Sequence, residues 1–389
     1  MNNQVFIQQH FTKSIPEIAL LLSKHPELDK EFILSQINGL QKAKKKLPIF
    51  FQNKEIVYPS SLSMEQCSSE ETAIFKSQLI KGHSLIDLTG GFGVDSYYFS
   101  KLFKNVTYLE PNQNLFNVVR TNFNILNASN INCINSTTED YLKANTQHFD
   151  VAYIDPSRRS EHQKVFILED CVPNIVELKD EIFTMASQIL VKTSPILDIK
   201  QSLKELKNVS MVWVVSVNNE CKEVLYLIHQ KATLPPKINT LNILHGGKGV
   251  LQAYSFDFET EGSCSPPFSE PLNYLYEPNT SILKAGAFKS IALQYQLHKL
   301  ASNTHLYTSH ELVADFPGRC FEIKNILPYQ PKQFKKLGIQ KANVSCRNFP
   351  ETVAQVKKKL HLQDGGKDYL FATSDVNDKP ILIVCVKVN

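Results

Sequence analysis

The sequence predicts an α/β protein whose largest part is a doubly wound parallel sheet. Short apolar stretches alternate with amphipathic helical stretches throughout residues 83–232, which is the pattern of repeated strand–helix–strand units. Helical spacing of apolar residues dominates residues 1–82, and a smaller alternation of strands and helices occupies residues 317–389. A glycine-rich turn follows the first predicted strand of the large sheet, at the edge where such sheets bind ligands.

The composition bounds the number of domains and the kind of protein. A chain of 389 residues is too long for one ordinary core, so we expect two or three domains. Its amino terminus has no basic segment followed by an apolar one, and no uncharged apolar stretch is long enough to span a membrane. The eight cysteines are too widely spaced for a Cys-x-x-Cys metal site or a small disulfide framework. We therefore expect a cytoplasmic protein with neither a membrane partner nor a metal.

The positive charge is concentrated at the carboxyl end. Residues 317–389 carry 13 Lys and Arg against 6 Asp and Glu, whereas the rest of the chain carries 29 against 32. A basic excess confined to one region predicts contact with a polyanion such as RNA. The alternative is a solvated basic face without a partner.

The most informative stretch is Asp-Leu-Thr-Gly-Gly-Phe-Gly-Val-Asp at residues 87–95. A strand that ends on Asp87 would pass through this turn into a helix from Asp95 to about Phe103. Glycines allow the backbone to approach a ligand closely, and the acid at the strand end can bind it. Because glycines alone are weak evidence, two later strand ends matter: Glu110 stands where a ribose-binding carboxylate belongs, and another strand runs into Asp155. The pattern predicts a nucleoside or dinucleotide site.

These motifs, in this order, resemble those of class I S-adenosylmethionine (SAM) methyltransferases, which have a Rossmann-like fold. The first is Asp-x-Thr-x-Gly-x-Gly at residues 87–93, the second is Glu110, and the third is Asp-Pro-Ser-Arg-Arg at residues 155–159. The wider similarity is to a bacterial family of such enzymes with a C-terminal THUMP-like domain. It is carried also by Tyr-Pro at 58–59, Ser-Met-Glu-Gln-Cys-Ser-Ser-Glu at 63–70, Glu-Pro-Asn at 277–279 and Phe-Pro-Gly-Arg at 316–319.

The resemblance implies SAM as the cofactor and a set of residues that bind it. Asp87 would accept from the ammonium of the cofactor, the glycines would pass under its amino-acid and ribose part, and Glu110 would bind the ribose hydroxyls. Residues 137–139 would lie near the adenine, although Thr137 is equally well explained as a helix cap. The cofactor-binding set is Asp87, Thr89, Gly90, Gly91, Gly93, Asp95, Glu110, Thr137, Thr138 and Glu139.

The resemblance places the acceptor at Asp155, Pro156, Ser157 and Arg158, which we take as the catalytic set. In related enzymes that methylate the amines of bases, an Asp/Asn-Pro-Pro-aromatic motif binds the amine while the aromatic ring stacks on the base. Ser157 and Arg158 replace the second proline and the aromatic residue, and a guanidinium plane can also stack on a base or bind a phosphate. A cysteine nucleophile is not expected, since neither Cys171 nor Cys221 lies in a motif for it.

The resemblance also implies a domain organisation. We predict a helical N-terminal region at 1–82, the methyltransferase domain at 83–232, a hairpin, linker and small ferredoxin-like connecting domain at 233–316, and a basic THUMP-like α/β domain at 317–389. Within the third part we predict a hairpin at 239–258 around the glycines that follow His245, a polar linker over Glu259–Glu270, a helix over Ile282–Ala301 and a strand over Thr304–Thr308.

The leading functional hypothesis is methylation of a structured RNA, tRNA or rRNA. The first alternative is a methyltransferase for a small molecule or a protein, in which the C-terminal part is a structural lid. The second is an RNA-binding protein that retains a SAM site without turnover.

Overall fold

The computed structural model describes residues 2–144, 146–158, 167–231, 234–244 and 251–388, with the backbone alone at Arg158 and Leu251. The chain forms two compact units. The first contains Met1–Ser210 and Leu225–Leu234, and the second contains Met211–Val224 and Pro235–Asn389.

The first unit begins with six helices. Three of them start at a side chain that accepts a backbone N–H group: Asn2 accepts from Val5, Asp29 from Phe32 and Ser69 from Thr72. Capping residues and apolar spacing in the sequence predict helices over Ile15–Ser23, Leu28–Lys46 and Glu71–Lys81, and the structure confirms these three to within two residues at each end. The helices are α1 (Asn3–His10), α2 (Ile15–Leu22), α3 (Lys30–Lys46), α4 (Pro48–Gln52), α5 (Ser61–Gln66) and α6 (Glu70–Leu79).

A parallel sheet with flanking helices follows. The strands of this part of the chain are β1 (Ser84–Asp87), β2 (Asn105–Leu109), β3 (Ile131–Ile134), β4 (Phe149–Ile154), β5 (Ser157–Arg158), β6 (Cys171–Val172), β7 (Ala186–Thr193), β8 (Val209–Val217) and β9 (Glu220–His229). Of these, β5 and β6 form a separate antiparallel pair outside the large sheet. The helices are α7 (Val94–Phe99), α8 (Gln113–Ile125), α9 (Thr138–Ala144), α10 (Ile175–Met185) and α11 (Ile199–Leu206). Within the first unit the strand order is β3-β2-β1-β4-β7, with residues 225–229 of β9 next to β7. The first five of these strands are parallel, so their carboxyl ends share one edge of the sheet.

The N-terminal helices help to build that edge. Phe92, inside the glycine turn, packs against Phe50 of α4 with ring centroids 5.6 Å apart, and against Tyr58 at 6.3 Å. Asn122 of α8 exchanges two hydrogen bonds with the backbone of Val57. The helix after the turn ends at Phe99, four residues before the predicted Phe103, and the chain continues in turns.

The second unit contains residues 211–217 of β8, β10 (Lys237–Ile243) and β11 (Leu251–Phe256). β10 lies parallel to β8 and antiparallel to β11, which confirms the predicted hairpin. The glycine turn that follows His245 lies outside the described residues.

Two predictions for the next segment are wrong. The segment Glu259–Glu270 is not a plain linker, because α12 (Phe258–Ser263) forms where Asp257 accepts the N–H of Thr260. The single helix over Ile282–Ala301 is replaced by α13 (Thr280–Ala285) and α14 (Ser290–Gln294). Gly286 has a φ of +82° and caps α13 in the left-handed conformation, which ends that helix.

A second, seven-stranded sheet completes this unit. Its strands are β12 (Tyr274–Pro278), β13 (His298–Lys299), β14 (Tyr307–Ser309), β15 (Gly318–Pro328), β16 (Asn343–Cys346), β17 (Asp368–Ser374) and β18 (Pro380–Val388), in the order β13-β14-β12-β15-β18-β17-β16. β12 was not predicted, and the predicted strand over Thr304–Thr308 appears as β14. Helices α15 (Pro331–Lys335) and α16 (Val353–Leu360) lie between β15 and β17 in the chain, and the alternation predicted for residues 317–389 is confirmed.

Candidate functional site

The glycine turn is packed tightly against β2 and α8. A Cβ on Gly90 would lie 2.1 Å from the Tyr108 ring, and one on Gly93 would lie 2.6 Å from Phe123. Gly93 has a φ of +75° and Gly91 one of +53°, which L side chains rarely adopt. A Cβ on Gly91 would meet no atom closer than 3.9 Å, so the backbone at Gly91 borders open space.

Asp87 lies beneath the turn and is 1% exposed. Its carboxylate accepts the Thr89 N–H at 3.1 Å and the Ser96 O–H at 2.5 Å. Burial raises the pKa of Asp87 to about 7, because the two hydrogen bonds only partly offset the lost hydration and the nearby Asp95 adds repulsion. The side chain fixes the two ends of the turn to each other.

Glu110 follows β2 and holds the turn from the other side. Its carboxylate accepts the N–H of Gly91 at 3.1 Å and that of Asn112 at 2.7 Å. The Tyr108 hydroxyl donates to the carbonyl of Gly91 at 2.6 Å. Burial raises the pKa of Glu110 above its ordinary value, and the two backbone hydrogen bonds oppose that rise. Both backbone polar groups of Gly91 are therefore bound by residues of the β2 segment.

Two of the three residues assigned to the adenine are hydrogen-bonded within the protein. Thr137 Oγ1 accepts the N–H of Asp140 at 3.0 Å and donates to its carboxylate at 2.8 Å, as a capping residue does. Thr138 is buried and donates to the carbonyl of Leu88 at 2.8 Å. Glu139 is half-buried beside them. These contacts favour the helix-cap interpretation of Thr137.

Asp155 lies at the end of β4, one strand away from the glycine turn. Its N–H donates to Thr89 Oγ1 at 2.7 Å, and its Oδ2 accepts from the ammonium of Lys192. Lys192 was not identified from the sequence. The signal that could have found it is a lysine close to the end of an apolar strand in a parallel sheet.

The rest of the predicted catalytic set differs in environment. Pro156 is buried, and Ser157 is exposed, with its hydroxyl 3.4 Å from the carbonyl of Val172. The backbone of Arg158 pairs with Cys171 across β5 and β6. The side chain of Arg158, and Arg159, lie outside the described part of the chain.

Asp95 belongs to a buried cluster of charged and polar groups. It accepts the hydroxyls of Ser68 and Tyr153, each at 2.8 Å, and Lys76 Nζ lies 3.2 Å from its other oxygen. Lys76 is fully buried and also donates to Ser68 at 3.0 Å. Burial would raise the pKa of Asp95, but the ammonium groups of Lys76 and Lys192 outweigh it and hold that pKa below the usual range. Asp95 thereby connects the 63–70 segment to α7.

Cys67 is the cysteine whose surroundings include this cluster, since the charges of Lys192 and Asp95 both act on it. Burial raises the pKa of its thiol, and Sγ donates to the carbonyl of Met64 at 3.4 Å. A buried thiol with a raised pKa is a poorer nucleophile than an exposed one.

The motifs at 277–279 and 316–319 meet in the second unit. Glu277 is nearly fully buried; Arg347 Nε and Nη2 donate to one of its oxygens at 2.9 and 2.7 Å, and Arg319 binds the other. A Cβ on Gly318 would lie 2.2 Å from the carbonyl of Glu277. The close approach of β12 and β15 therefore requires glycine at that position.

The basic residues of 317–389 divide into two groups. Five are paired with acids: Arg319 and Arg347 with Glu277, Lys324 with Glu322, Lys357 with Asp364 and Lys359 with Glu351. Exposed lysines with no acidic partner within 4 Å in the described ranges are Lys332, Lys335, Lys336, Lys341, Lys358, Lys367, Lys379 and Lys387. The described residues contain no group of three or more His, Cys, Asp or Glu side chains that could hold a metal ion. Nor does any described helix combine the length and hydropathy needed to cross a membrane.

The parallel sheet, the glycine turn and the acids at the strand ends define a Rossmann-like methyltransferase core. Comparison with known proteins agrees with this assignment of the fold. One family model, described as a ferredoxin-like domain, matches residues 274–317, and another, described as THUMP domain-like, matches residues 318–387. The crystal structure of a "putative methyltransferase" from Porphyromonas gingivalis W83 is 32% identical, with a TM-score of 0.88, over 100% of this chain and 98% of that one. The chain belongs to this family of class I methyltransferase-fold proteins with a C-terminal THUMP-like domain.

Other solved structures match only part of the chain. An rRNA methylase from Streptococcus thermophilus covers 42% of this chain and 96% of its own, with 13% identity and a TM-score of 0.32. A protein from Streptococcus mutans, solved with S-adenosylhomocysteine (SAH), covers 41% of this chain and 97% of its own, with 15% identity and a TM-score of 0.30. Scores this low carry no argument about cofactor or substrate. No functionally curated protein matches the chain.

Proposed function

We propose that the protein is a SAM-dependent methyltransferase that acts on a structured RNA, tRNA or rRNA. The observation that carries the proposal is the arrangement of Asp87, Glu110 and Asp155 at the carboxyl ends of three parallel strands around one glycine turn. Parallel sheets of this kind bind ligands at that edge.

The residues at the turn fit SAM. The open space beside Gly91 allows close approach of a ligand to the backbone. Two buried carboxylates with raised pKa values, Asp87 and Glu110, flank that space. The ammonium of a ligand beside Asp87 would supply a positive charge that stabilises the buried carboxylate. The carboxylate oxygens of Glu110 have further lone pairs that can accept hydrogen bonds from ribose hydroxyls. When bound, SAM supplies a methyl group on a positively charged sulfur.

Asp155 is proposed to act on the acceptor. Methyl transfer needs an acceptor lone pair held in line with the methyl carbon, and a neutral N–H or O–H acceptor loses one proton in the reaction. Asp155 lies beside the turn, to which its N–H is tied through Thr89, and 31% of its side chain is exposed. It can therefore orient an acceptor by accepting its hydrogen bond and then take its proton.

RNA is the proposed substrate because of the THUMP-like domain and its eight exposed lysines that have no acidic partner among the described residues. The small-molecule or protein alternative is favoured by a different observation. Five basic residues of the same domain are paired with acids of this chain, so the count of basic residues overstates the cations available to phosphate groups. They are Arg319, Lys324, Arg347, Lys357 and Lys359.

The test has a cellular and a purified part. Modified nucleosides in tRNA and rRNA are compared by mass spectrometry between cells with and without the protein, and we expect one methylated nucleoside to disappear. With purified protein, Asp155→Ala should bind SAM with nearly unchanged affinity while methyl transfer collapses. Unchanged nucleosides together with methylation of a protein or metabolite fraction would favour the alternative. Equal loss of SAM binding and transfer in Asp155→Ala would place Asp155 in the cofactor site.

A further inference from the structure

Lys192 and Asp155 meet through the register of the sheet. β4 and β7 are parallel, with Ile154 opposite Val191, so the next residue of each strand reaches the same edge. There the ammonium of Lys192 donates to Asp155 Oδ2. The pair is therefore set by two adjacent strands of the core and does not depend on a surface loop.

The two partners differ in their access to solvent. The side chain of Lys192 is 11% exposed and that of Asp155 is 31% exposed. In the part of the chain that the structure describes, no group donates to Asp155 Oδ1, whereas Oδ2 is bound to the ammonium. The carboxylate thus has one oxygen anchored on a buried cation and the other available to a ligand.

The Lys192–Asp155 ion pair is not explained by packing or stability alone. Burying an ammonium costs free energy that its counter-ion only partly returns, and an apolar side chain of similar size often serves stability as well. Asp95, the other acid on which the charge of Lys192 acts, already has Lys76 at 3.2 Å. A charged Lys192 is therefore not needed to neutralise the cluster around Asp95.

We propose that Lys192 is a positioning residue of the acceptor site, which holds the Asp155 carboxylate so that Oδ1 accepts the hydrogen bond of the N–H or O–H group to be methylated. This inference rests on the proposed function, since it assigns Asp155 to the acceptor. The acceptor's lone pair forms the new bond to the methyl carbon as the carbon–sulfur bond breaks and leaves its electron pair on sulfur. The acceptor's proton passes to Asp155 Oδ1 and then to water.

The test compares Lys192→Met, which removes the ammonium at similar length, with Lys192→Arg, which keeps a cation. Lys179→Met is the matched control, because Lys179 is a lysine of the same unit whose ammonium binds the carbonyl of Leu206, at 2.8 Å. Transfer is measured from labelled SAM to tRNA and rRNA from cells that lack the protein. In Lys192→Met, kcat should fall about 100-fold, while KM for the RNA and the affinity for SAH stay within about twofold. Lys192→Arg should recover about tenfold of that loss, and Lys179→Met should behave as wild type.

A second measurement does not depend on activity. Thermal unfolding of Lys192→Met, Asp155→Asn and the double variant should give a smaller Tm decrease in the double variant than the two single decreases together, because the same ion pair is lost in each. If the Tm decrease of the double variant equals the sum of the two single decreases, the inference that Lys192 and Asp155 interact is overturned.

A normal kcat in Lys192→Met would overturn the positioning role. A loss of SAH affinity as large as the loss of kcat would place Lys192 in the cofactor site and also overturn it. If the wild-type protein transfers no methyl group to either RNA, the proposed function fails, and the unfolding measurements still decide whether Lys192 anchors Asp155.

Discussion

Replacement of Glu110 by alanine tests the cofactor site most directly, because this side chain has a structural and a proposed binding role that can be separated. Its carboxylate accepts the N–H of Gly91 and that of Asn112 in the free protein. It is also the side chain proposed to bind the ribose hydroxyls. Glu110→Ala removes both sets of hydrogen bonds, so we expect stability and cofactor affinity to fall together.

The magnitudes follow from the contacts. Hydrogen bonds to a charged group contribute about 1.5–3 kcal/mol, so loss of the ribose contact should weaken SAH binding by roughly 10- to 150-fold. Loss of the two backbone contacts should lower the free energy of unfolding by about 2 kcal/mol. Glu110→Gln keeps one carbonyl oxygen but turns an amide donor toward one of the two N–H groups. It should therefore lie between alanine and wild type in stability.

Calorimetric titration with SAH, at a temperature where every variant is folded, measures the affinity, and urea unfolding measures the stability. Glu181→Ala, the loss of an exposed carboxylate on α10 of the same unit, is the control and should change neither quantity. Normal SAH affinity in Glu110→Ala would refute the ribose role. A large loss of affinity without any loss of stability would instead refute the inference that Glu110 holds the turn in the free protein.

Three further predictions concern the buried acids and the basic domain. Lys76→Met removes the ammonium beside the buried carboxylate of Asp95. It should lower the free energy of unfolding by about 3 kcal/mol in urea titrations. Because the pKa of Asp87 is raised from 3.8 to about 7, the folded state holds its proton more tightly. Stability should therefore fall as the pH rises from about 4 through about 7, and Asp87→Asn should abolish that fall in unfolding measurements across this range. Charge reversal at Lys335 and Lys336 should reduce the slope of log affinity against log salt by about 0.7 for each phosphate that is no longer neutralised, measured with tRNA at several salt concentrations, whereas Lys357→Glu should change it little.

The alternation of strands and helices along the chain and the position of the glycine turn were predictable because they depend on local chemistry. An apolar strand, a turn that tolerates positive φ and an acid at the strand end are each visible within a few residues. The positions of Asp87, Glu110 and Asp155 at strand ends follow from the same pattern. The prediction of one helix over Ile282–Ala301 failed, because the apolar spacing continues through Gly286 and does not reveal that this glycine adopts a left-handed conformation and ends the helix.

The pairing of buried charges could not be predicted, since it depends on which distant segments meet. Lys76 lies on a helix whose polar residues all suit a solvated surface, yet its ammonium is fully buried against Asp95. Lys192 gave no signal beyond a charge in an apolar strand. Arg347 counts toward the basic excess of residues 317–389, yet its guanidinium binds Glu277, a residue 70 positions earlier in the chain. Sequence alone gives the number of cations but not which of them are already paired.

The buried Lys76–Asp95 pair and the pairing of Glu277 with two arginines also explain two sequence motifs that lie outside the proposed cofactor site. The motif at residues 63–70 contains Ser68, which contacts both members of the Lys76–Asp95 pair, and the motif at 277–279 contains the acid that binds two arginines. Each motif thus contributes a side chain to a group of buried charges: Ser68 hydrogen-bonds to the Lys76–Asp95 pair, and Glu277 is itself the buried acid. Because loss of one partner leaves that charge uncompensated, a change at such a position is costlier than its small size suggests. The two motifs therefore contain residues that stabilise the unit in which they lie, whereas the residues at the strand ends carry the proposed chemistry.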